Sequence, residues 1–140
     1  MVKFIANNLQ QTQNLAAKIA KQLQIGSCIC LVGDLGAGKT ELTRAIINAL
    51  NNEPVTVASP TYNIVLTYDL PQFTLWHFDL YRIEAEAELY EIGIEDALNT
   101  GVSIIEWPQI AANLLPKNRV DINIKTINNT REFEITGIDL

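Results

Sequence analysis

Hydrophobic and polar positions along the first third of the chain predict a helix, a buried strand and a second helix. Leu15, Ile19 and Leu23 recur at helical spacing, which predicts a helix over 9–23. The short apolar run 28–32 is typical of a parallel strand buried on both faces. A glycine-rich segment, 33–39, interrupts the apolar run. The next helix is predicted by a repeat of apolar residues at i, i+3, i+4, i+7 and i+8, namely Leu42, Ala45, Ile46, Ala49 and Leu50.

The remaining pattern is mostly of strand type. Apolar residues alternate with others from Tyr62 to Tyr68, a turn containing Pro71 follows, and 73–80 has strand character, so 62–80 is predicted to be an antiparallel hairpin. Segment 83–98 has helical character, and 102–105 is another short buried strand. Alternation on both sides of 128–130 predicts a terminal hairpin. The expected fold class is α/β with a mixed parallel and antiparallel sheet.

Composition narrows the classes of protein that remain. The 140 residues suit a single domain over 1–140, and 48% apolar with 19% charged residues is typical of a folded chain. There is no apolar run of membrane-spanning length and no N-terminal signal-peptide pattern, so a cytoplasmic protein is expected. Cys28 and Cys30 are expected to be small buried hydrophobes, and zinc is disfavoured because His77 is the one histidine.

The negative charge is concentrated in one segment. Residues 79–96 hold seven acids and one base, which accounts for the whole net charge of −6. No basic stripe exists that could follow a phosphate backbone, so stable nucleic-acid binding by the chain alone is disfavoured. Glu84, Glu88, Glu91 and Glu95 lie at i, i+4, i+7 and i+11 of the helix predicted over 83–98, which places all four on one helical face. That face is either simply solvated or docks a basic partner protein.

The strongest chemical signal is GDLGAGKT at 33–40, which matches G-x-x-x-x-G-K-[ST] in full and lies between a buried strand and an amphipathic helix. Glycines allow backbone N–H groups to surround a phosphate, and the helix N-terminus adds partial positive charge. Lys39 would contact the β- and γ-phosphates, and Thr40 would bind Mg²⁺. The nucleotide-binding candidates here are Gly36, Ala37, Gly38, Lys39, Thr40 and Glu41.

Three further positions are candidates for the chemistry. Mg²⁺ needs a carboxylate at the end of a neighbouring buried strand, and Glu106 follows 102–105 in that position, with Trp107 expected to lie near the site. Asp79 ends the second hairpin strand, where it could position water, act as a general base or support the metal. Thr61 lies in a segment that is either a switch loop sensing the γ-phosphate or an ordinary proline turn.

The segments GDLGAGKT (33–40), SPTY (59–62), HFDLYR (77–82) and IEWP (105–108) together resemble the bacterial tRNA threonylcarbamoyladenosine biosynthesis ATPases, the TsaE (YjeE) family. The resemblance covers nearly the whole chain. It implies a three-layer domain like those of P-loop NTPases, ATP or ADP as ligand, Mg²⁺ held by Thr40 and Glu106, and an important Asp79. It also implies nucleotide contacts from a residue of the first helix and from an arginine of the C-terminal hairpin, for which Thr12 and Arg131 are the nearest matches.

The resemblance further implies that the protein does not itself modify tRNA but supports the proteins that do. A weak ATPase would support installation of threonylcarbamoyl on adenosine 37 of tRNAs that read ANN codons, by acting on TsaB- and TsaD-like transferase proteins. A small-molecule or nucleoside kinase is the alternative. It is disfavoured because Arg44, Arg82, Arg119 and Arg131 are widely spaced and do not form an arginine-bearing lid. A GTPase-like switch lacks its Asn-Lys-x-Asp guanine reader.

Overall fold

The computed structural model describes residues 1–34, 36–51, 53–60 and 63–140. Within these ranges, four helices and a short 3₁₀ helix over Pro108–Ala111 accompany seven strands. In the described ranges, no helix is both long and apolar enough to cross a lipid bilayer. The strands are β1 (Val2–Ala6), β2 (Cys28–Gly33), β3 (Val65–Asp69), β4 (Thr74–Asp79), β5 (Val102–Glu106), β6 (Val120–Ile127) and β7 (Thr130–Thr136), and the helices are α1 (Leu9–Ala20), α2 (Lys39–Leu50), α3 (Ala87–Glu91) and α4 (Ile94–Thr100).

All seven strands belong to one mixed sheet, ordered β1-β7-β6-β2-β5-β4-β3. The central strands β6, β2, β5 and β4 are parallel to their neighbours. The β3–β4 hairpin and the β6–β7 hairpin add antiparallel pairs on either side, and β1 pairs with β7. The mixed sheet and both hairpins predicted from the alternation are therefore confirmed. Because β2, β5 and β4 are mutually parallel, their carboxyl ends meet at one edge.

Two apolar cores cover the two faces of this sheet, which gives three layers. One core joins α1 and α2 to the sheet through residues such as Leu15, Ile46 and Ile104. The other packs α3, α4 and the 3₁₀ helix against alternate strand residues, among them Cys28 and Cys30. Both cysteines are free and buried. A hydrogen bond with Cys30, together with burial, raises the pKa of the Cys28 thiol, as expected for an inert core cysteine.

The prediction of one helix over 83–98 is wrong. α3 ends before Gly93, whose φ of 82° is left-handed, and α4 begins after it. The ring of Trp76 lies against Gly93, 3.2 Å from where a Cβ would be, so a glycine suits both the turn and the contact. Glu84 precedes α3, and Glu88 and Glu95 belong to different helices. The four glutamates therefore do not form a single helical face.

Other differences lie at the ends of elements. The first helix ends at Ala20, although Leu23 is still buried. β3 begins at Val65, whereas Tyr62 lies outside the described residues.

The strand β1 was not predicted from the sequence, although Val2, Phe4 and Ala6 alternate with more exposed neighbours. Five residues are too short a stretch for alternation alone to separate a strand from an irregular N-terminus, and pairing with β7 decides the matter.

Candidate active site

The segment GDLGAGKT (33–40), the phosphate loop, joins β2 directly to α2. β2 ends at Gly33 and α2 begins at Lys39, with Gly38 at its N-cap in a left-handed conformation, φ 106°. Gly33 also has to be a glycine because a Cβ there would lie 2.7 Å from the Ile124 carbonyl oxygen. The first turn of α2 thus opens toward the carboxyl edge of the sheet with backbone N–H groups that have no partner within the helix. This arrangement is suited to an anion.

Lys39 is buried, with 7% of its surface exposed, and its ammonium has two neighbours. Nζ donates a hydrogen bond to the Gly33 carbonyl at 2.7 Å and lies 4.5 Å from the centroid of the Trp107 ring. Since an ammonium has three N–H donors, this arrangement orients the charge without using all of them. The indole expected near the site is therefore in contact with the loop lysine.

Arg131 brings a second cation to the loop from β7. Its Nη2 lies 3.3 Å from a carboxylate oxygen of Glu41, and its Nη1 is buried with no hydrogen-bond partner in the part of the chain that the structure describes. The guanidinium is so close to Gly38 that a Cβ there would overlap Nη1. The C-terminal hairpin therefore places a guanidinium directly on the phosphate loop, with hydrogen-bonding capacity left over.

Two carboxylates face the loop from neighbouring strands. Asp79 and Glu106 are partners in the parallel β4–β5 register, and they are 8% and 5% exposed. The backbone N–H of Tyr81 donates to Asp79 Oδ1 at 3.1 Å. Glu106 Oε2 lies 2.6 Å from Nε2 of His77, which is fully buried. The sequence analysis did not predict this contact.

Backbone strain is concentrated beside these carboxylates. Ile64 has φ 67°, which is unusual for a β-branched residue, and its carbonyl accepts the Asp79 N–H at 2.7 Å. Trp107, directly after Glu106, has φ 56°. The strained position of Trp107 brings its ring to Lys39 on one side and to Tyr81, with a centroid separation of 4.9 Å, on the other. Strain of this kind persists where surrounding structure enforces it, which is common at functional sites.

Loop, cations and carboxylates border one cavity of about 300 Å³. The carboxylates of Asp79 and Glu106 and the Thr40 hydroxyl are hard oxygen donors of the kind Mg²⁺ takes. In the described ranges, no group of three or more His, Cys, Asp or Glu side chains is arranged to hold a metal ion. The lining residues are Gly36, Gly38, Lys39, Thr40, Glu41, Ser59, Asp79, Glu106, Trp107 and Arg131.

Most of the predicted site residues meet at this cavity, and three differ. Ala37 is buried in the loop, next to the lining glycines. Thr12 is 1% exposed within α1 and is not among the described residues that line the cavity. Thr61 lies outside the described residues, as does Leu35 of the loop. A larger hollow of about 600 Å³ flanks the opposite end of β2, around Gln24 and Gly26, and carries no comparable set of charged side chains.

Comparison with known proteins gives the family. Residues 6–133 match the model of "Threonylcarbamoyl adenosine biosynthesis protein TsaE". The chain belongs to the TsaE family. The matched range contains the phosphate loop, both carboxylates and Arg131, so the whole cavity lies in the part of the chain that the family shares.

Similar proteins of the TsaE family cover most of this chain. The tRNA threonylcarbamoyladenosine biosynthesis protein TsaE of Rickettsia bellii is 39% identical over 92% of this chain and 90% of its own length. The protein with the same description from Bacillus subtilis is 32% identical over 98% of this chain and 86% of its own. Among solved structures, Bacillus subtilis YdiB superposes with a TM-score of 0.71 at 28% identity, covering 94% of this chain and 82% of the other. The α/β fold with a mixed sheet is thus confirmed.

Proposed function

We propose that this TsaE-family chain is a Mg²⁺-dependent ATPase of low intrinsic activity. It would support threonylcarbamoylation of adenosine 37 in tRNAs that read ANN codons, by acting on the transferase complex rather than on tRNA. The support for the pathway is the family itself, whose similar members are described as tRNA threonylcarbamoyladenosine biosynthesis proteins. The support for the chemistry is the cavity.

The single observation that carries the ATPase proposal is the meeting of opposite charges in one cavity. Lys39, Arg131 and the amide hydrogens at the start of α2 are on one side, and the Asp79 and Glu106 carboxylates are on the other. A triphosphate with a divalent cation complements both sides at once. Without a ligand, two nearly buried carboxylates at neighbouring register positions repel each other, so the arrangement favours a bound cation.

Each residue has a defined task in this proposal. The Lys39 ammonium and the loop amides bind and orient the phosphates, and they stabilise the negative charge that develops on them. Thr40 and Glu106 would hold Mg²⁺, which supplies charge neutralisation across the β- and γ-phosphates. The Asp79 carboxylate orients the attacking water and can accept its proton. Its orientation is supported by the Tyr81 N–H, which donates to Oδ1.

The remaining candidates would make further contacts with the nucleotide. The free donors of Arg131 can reach phosphate or ribose oxygens above Gly38. Thr61 follows Ser59 and Pro60 and would sense the γ-phosphate. Thr12 can contact nucleotide only if the start of α1 shifts, because its side chain is now buried.

Partner proteins resembling TsaB and TsaD are the proposed site of action. The chain carries a net charge of −6, concentrated in 79–96, and this charge would repel tRNA. Exposed acids of this segment, such as Glu84, Glu91 and Glu95, are better suited to a basic protein surface. Because the segment begins at Asp79, a partner bound there would lie beside the carboxylate that orients water.

One assay separates this function from a kinase. Phosphate release from ATP is measured with the chain alone, with small hydroxyl acceptors including nucleosides, and with the transferase proteins. Stimulation by the transferase proteins alone supports the proposal. A phosphorylated small acceptor would instead establish a kinase, and a chain that binds no nucleotide under any condition would refute both.

Binding can be tested before turnover. Trp107 lies on Lys39, so its fluorescence should change when ADP or ATP binds with Mg²⁺. The second tryptophan, Trp76, is stacked on Phe78, and its buried Nε1 has no hydrogen-bond partner within the described ranges. Trp76→Phe therefore removes the unwanted emission and an unsatisfied donor together. In that background a nucleotide-dependent change reports on the cavity, and no change at any nucleotide concentration would count against it.

A further inference from the structure

His77 is not among the described residues that line the cavity, yet it is the one histidine of the chain and the only fully buried ionisable side chain in the described ranges that contacts a cavity residue. It lies on β4, two residues before Asp79, on the sheet face that also carries Leu75 and Ile104. An imidazole placed among apolar residues costs free energy unless its polar atoms have partners. Its position therefore calls for an explanation beyond packing.

The β4–β5 register explains which partner His77 finds. His77 is opposite Ile104, and Asp79 is opposite Glu106. Since side chains of alternate residues share a face, His77 and Glu106 are diagonal neighbours across the two strands. Their atoms Nε2 and Oε2 approach to 2.6 Å, a short distance typical of a hydrogen bond to a charged acceptor.

The other ring nitrogen defines the direction of this hydrogen bond. Nδ1 of His77 is buried and has no hydrogen-bond partner among the described residues. If Nδ1 carried the only ring hydrogen, that donor would be unsatisfied, and the lone pair of Nε2 would face the carboxylate oxygen at 2.6 Å. With the hydrogen on Nε2, the donor is satisfied and only an acceptor lacks a partner, which is less costly. Nε2–H therefore donates to Glu106.

We propose that His77 is a positioning residue for the metal ligand Glu106, an inference that rests on the proposed Mg²⁺-dependent ATPase function. The Nε2–H hydrogen bond holds Oε2, so the carboxylate cannot rotate freely, and Oε1 is left for the ion that Thr40 would also hold. A carboxylate fixed in this way loses little conformational freedom when metal binds. Hydrogen bonds to metal-binding carboxylates commonly have this effect on affinity.

Two substitutions distinguish the effect of the His77 hydrogen bond from the effect of its side-chain volume. His77→Gln keeps a donor at about the reach of Nε2, and His77→Met fills similar volume with no donor. The metal-dependent part of binding is measured in the Trp76→Phe background, as ADP affinity with Mg²⁺ and with EDTA. Mn²⁺ bound in the ADP complex, followed by electron paramagnetic resonance, gives metal affinity directly.

The expected result is a selective loss. His77→Met lowers Mn²⁺ and Mg²⁺ affinity about 10- to 100-fold, leaves ADP affinity in EDTA unchanged, and melts cooperatively. His77→Gln retains most of the metal affinity. In a Glu106→Gln background, His77→Met has no further effect on metal affinity, because the carboxylate it would position is gone. If His77→Met does not fold, His77→Asn serves in its place, since its shorter side chain keeps a polar group but does not reach Glu106.

Three results would overturn the inference. Folded His77→Met with ordinary metal affinity would show that the hydrogen bond does not position the ligand. Equal losses in His77→Gln and His77→Met, or a loss of ADP affinity in EDTA, would show a role in packing alone. A protein with native His77 whose nucleotide binding ignores Mg²⁺ would remove the proposed function itself, which distinguishes that failure from the first two.

Discussion

The two sides of the cavity are built in different ways. The cationic side is mostly one short segment, in which β2, the glycine loop and the first turn of α2 are continuous in sequence. The acidic side is assembled from two strands, and its two carboxylates are 27 positions apart in sequence. His77 and Tyr81 hydrogen-bond to the carboxylates, and the Ile64 carbonyl accepts the backbone N–H of Asp79. The cationic side therefore follows from the spacing of residues along the chain, whereas the acidic side depends on the register between β4 and β5. Substitutions should therefore act differently on the two sides.

The largest effect is expected from removing the loop cation. Lys39→Ala eliminates the buried ammonium that would bind two phosphates. Charge-assisted hydrogen bonds contribute about 1.5–3 kcal/mol each, so nucleotide affinity should fall about a hundredfold or more. Trp107 fluorescence and isothermal titration calorimetry with ADP and Mg²⁺ measure it. Lys117→Ala removes the same charge from an exposed position and should change nothing. Equal effects of both substitutions would mean that net charge, not the site, governs binding.

On the acidic side, Asp79→Asn should separate binding from turnover. Asparagine keeps an oxygen for the Tyr81 N–H, so the fold should persist, but it cannot accept a proton or orient water as a carboxylate does. Loss of a general base commonly costs about 10²- to 10⁴-fold in turnover. ATP hydrolysis is measured at saturating ATP, with affinity followed separately. Asp69→Asn, at the exposed end of β3, is the matched control. Hydrolysis at the native rate by Asp79→Asn would show that water is activated elsewhere.

Gly38→Ala tests how tightly the cationic side of the cavity is packed. Alanine at φ 106° is strained, and its methyl group would overlap the guanidinium of Arg131. Gly26→Ala is a close control, because φ is 97° and no atom lies within 4 Å. Strain alone costs about 1–2 kcal/mol. Urea unfolding should show that loss in both variants and a further loss in Gly38→Ala, together with weaker nucleotide binding. Equal stabilities would mean that Arg131 moves aside without cost.

The smallest effect is expected at a carboxylate outside the cavity, which serves as a reference for the buried pair. Glu88 accepts hydrogen bonds from the Ala85 N–H at 3.0 Å and the Glu84 N–H at 2.9 Å. These bonds, that from Ala85 first, lower the pKa of Glu88 below the ordinary glutamate value. The ionised form therefore stabilises the folded state above the unfolded pKa, and this contribution is lost as pH falls through the lower folded pKa.

Glu88→Gln should accordingly flatten the acid limb of the stability curve slightly and leave nucleotide binding unchanged. Titration of the carboxyl carbon by NMR measures the Glu88 pKa directly. Thermal unfolding between about pH 3 and pH 7, the range over which carboxylates titrate, measures the pH dependence of stability. An ordinary pKa for Glu88 in the folded protein would show that these two N–H groups are not holding the carboxylate in solution.

Much of the fold followed from local patterns. The loop motif, the apolar run before it and the amphipathic pattern after it all indicate the same strand–loop–helix unit. The observed β2 and α2 confirm the predicted strand and helix. The helix predicted over 83–98 failed because Gly93 and the ring of Trp76 form a turn that periodicity does not register. β1 was missed because a five-residue edge strand is stabilised mainly by its pairing with β7.

By itself, the sequence determined the position of the glycine-rich loop, the order of most elements and the candidate residues for binding phosphate or metal, since these depend on spacing along the chain. Tertiary structure alone decided that His77 meets Glu106, that Arg131 packs on Gly38, and that Thr12 is buried. Such contacts depend on strand register and on which sheet face a side chain occupies. A shift of one residue would exchange the two faces, and no local pattern near these residues encodes their partners.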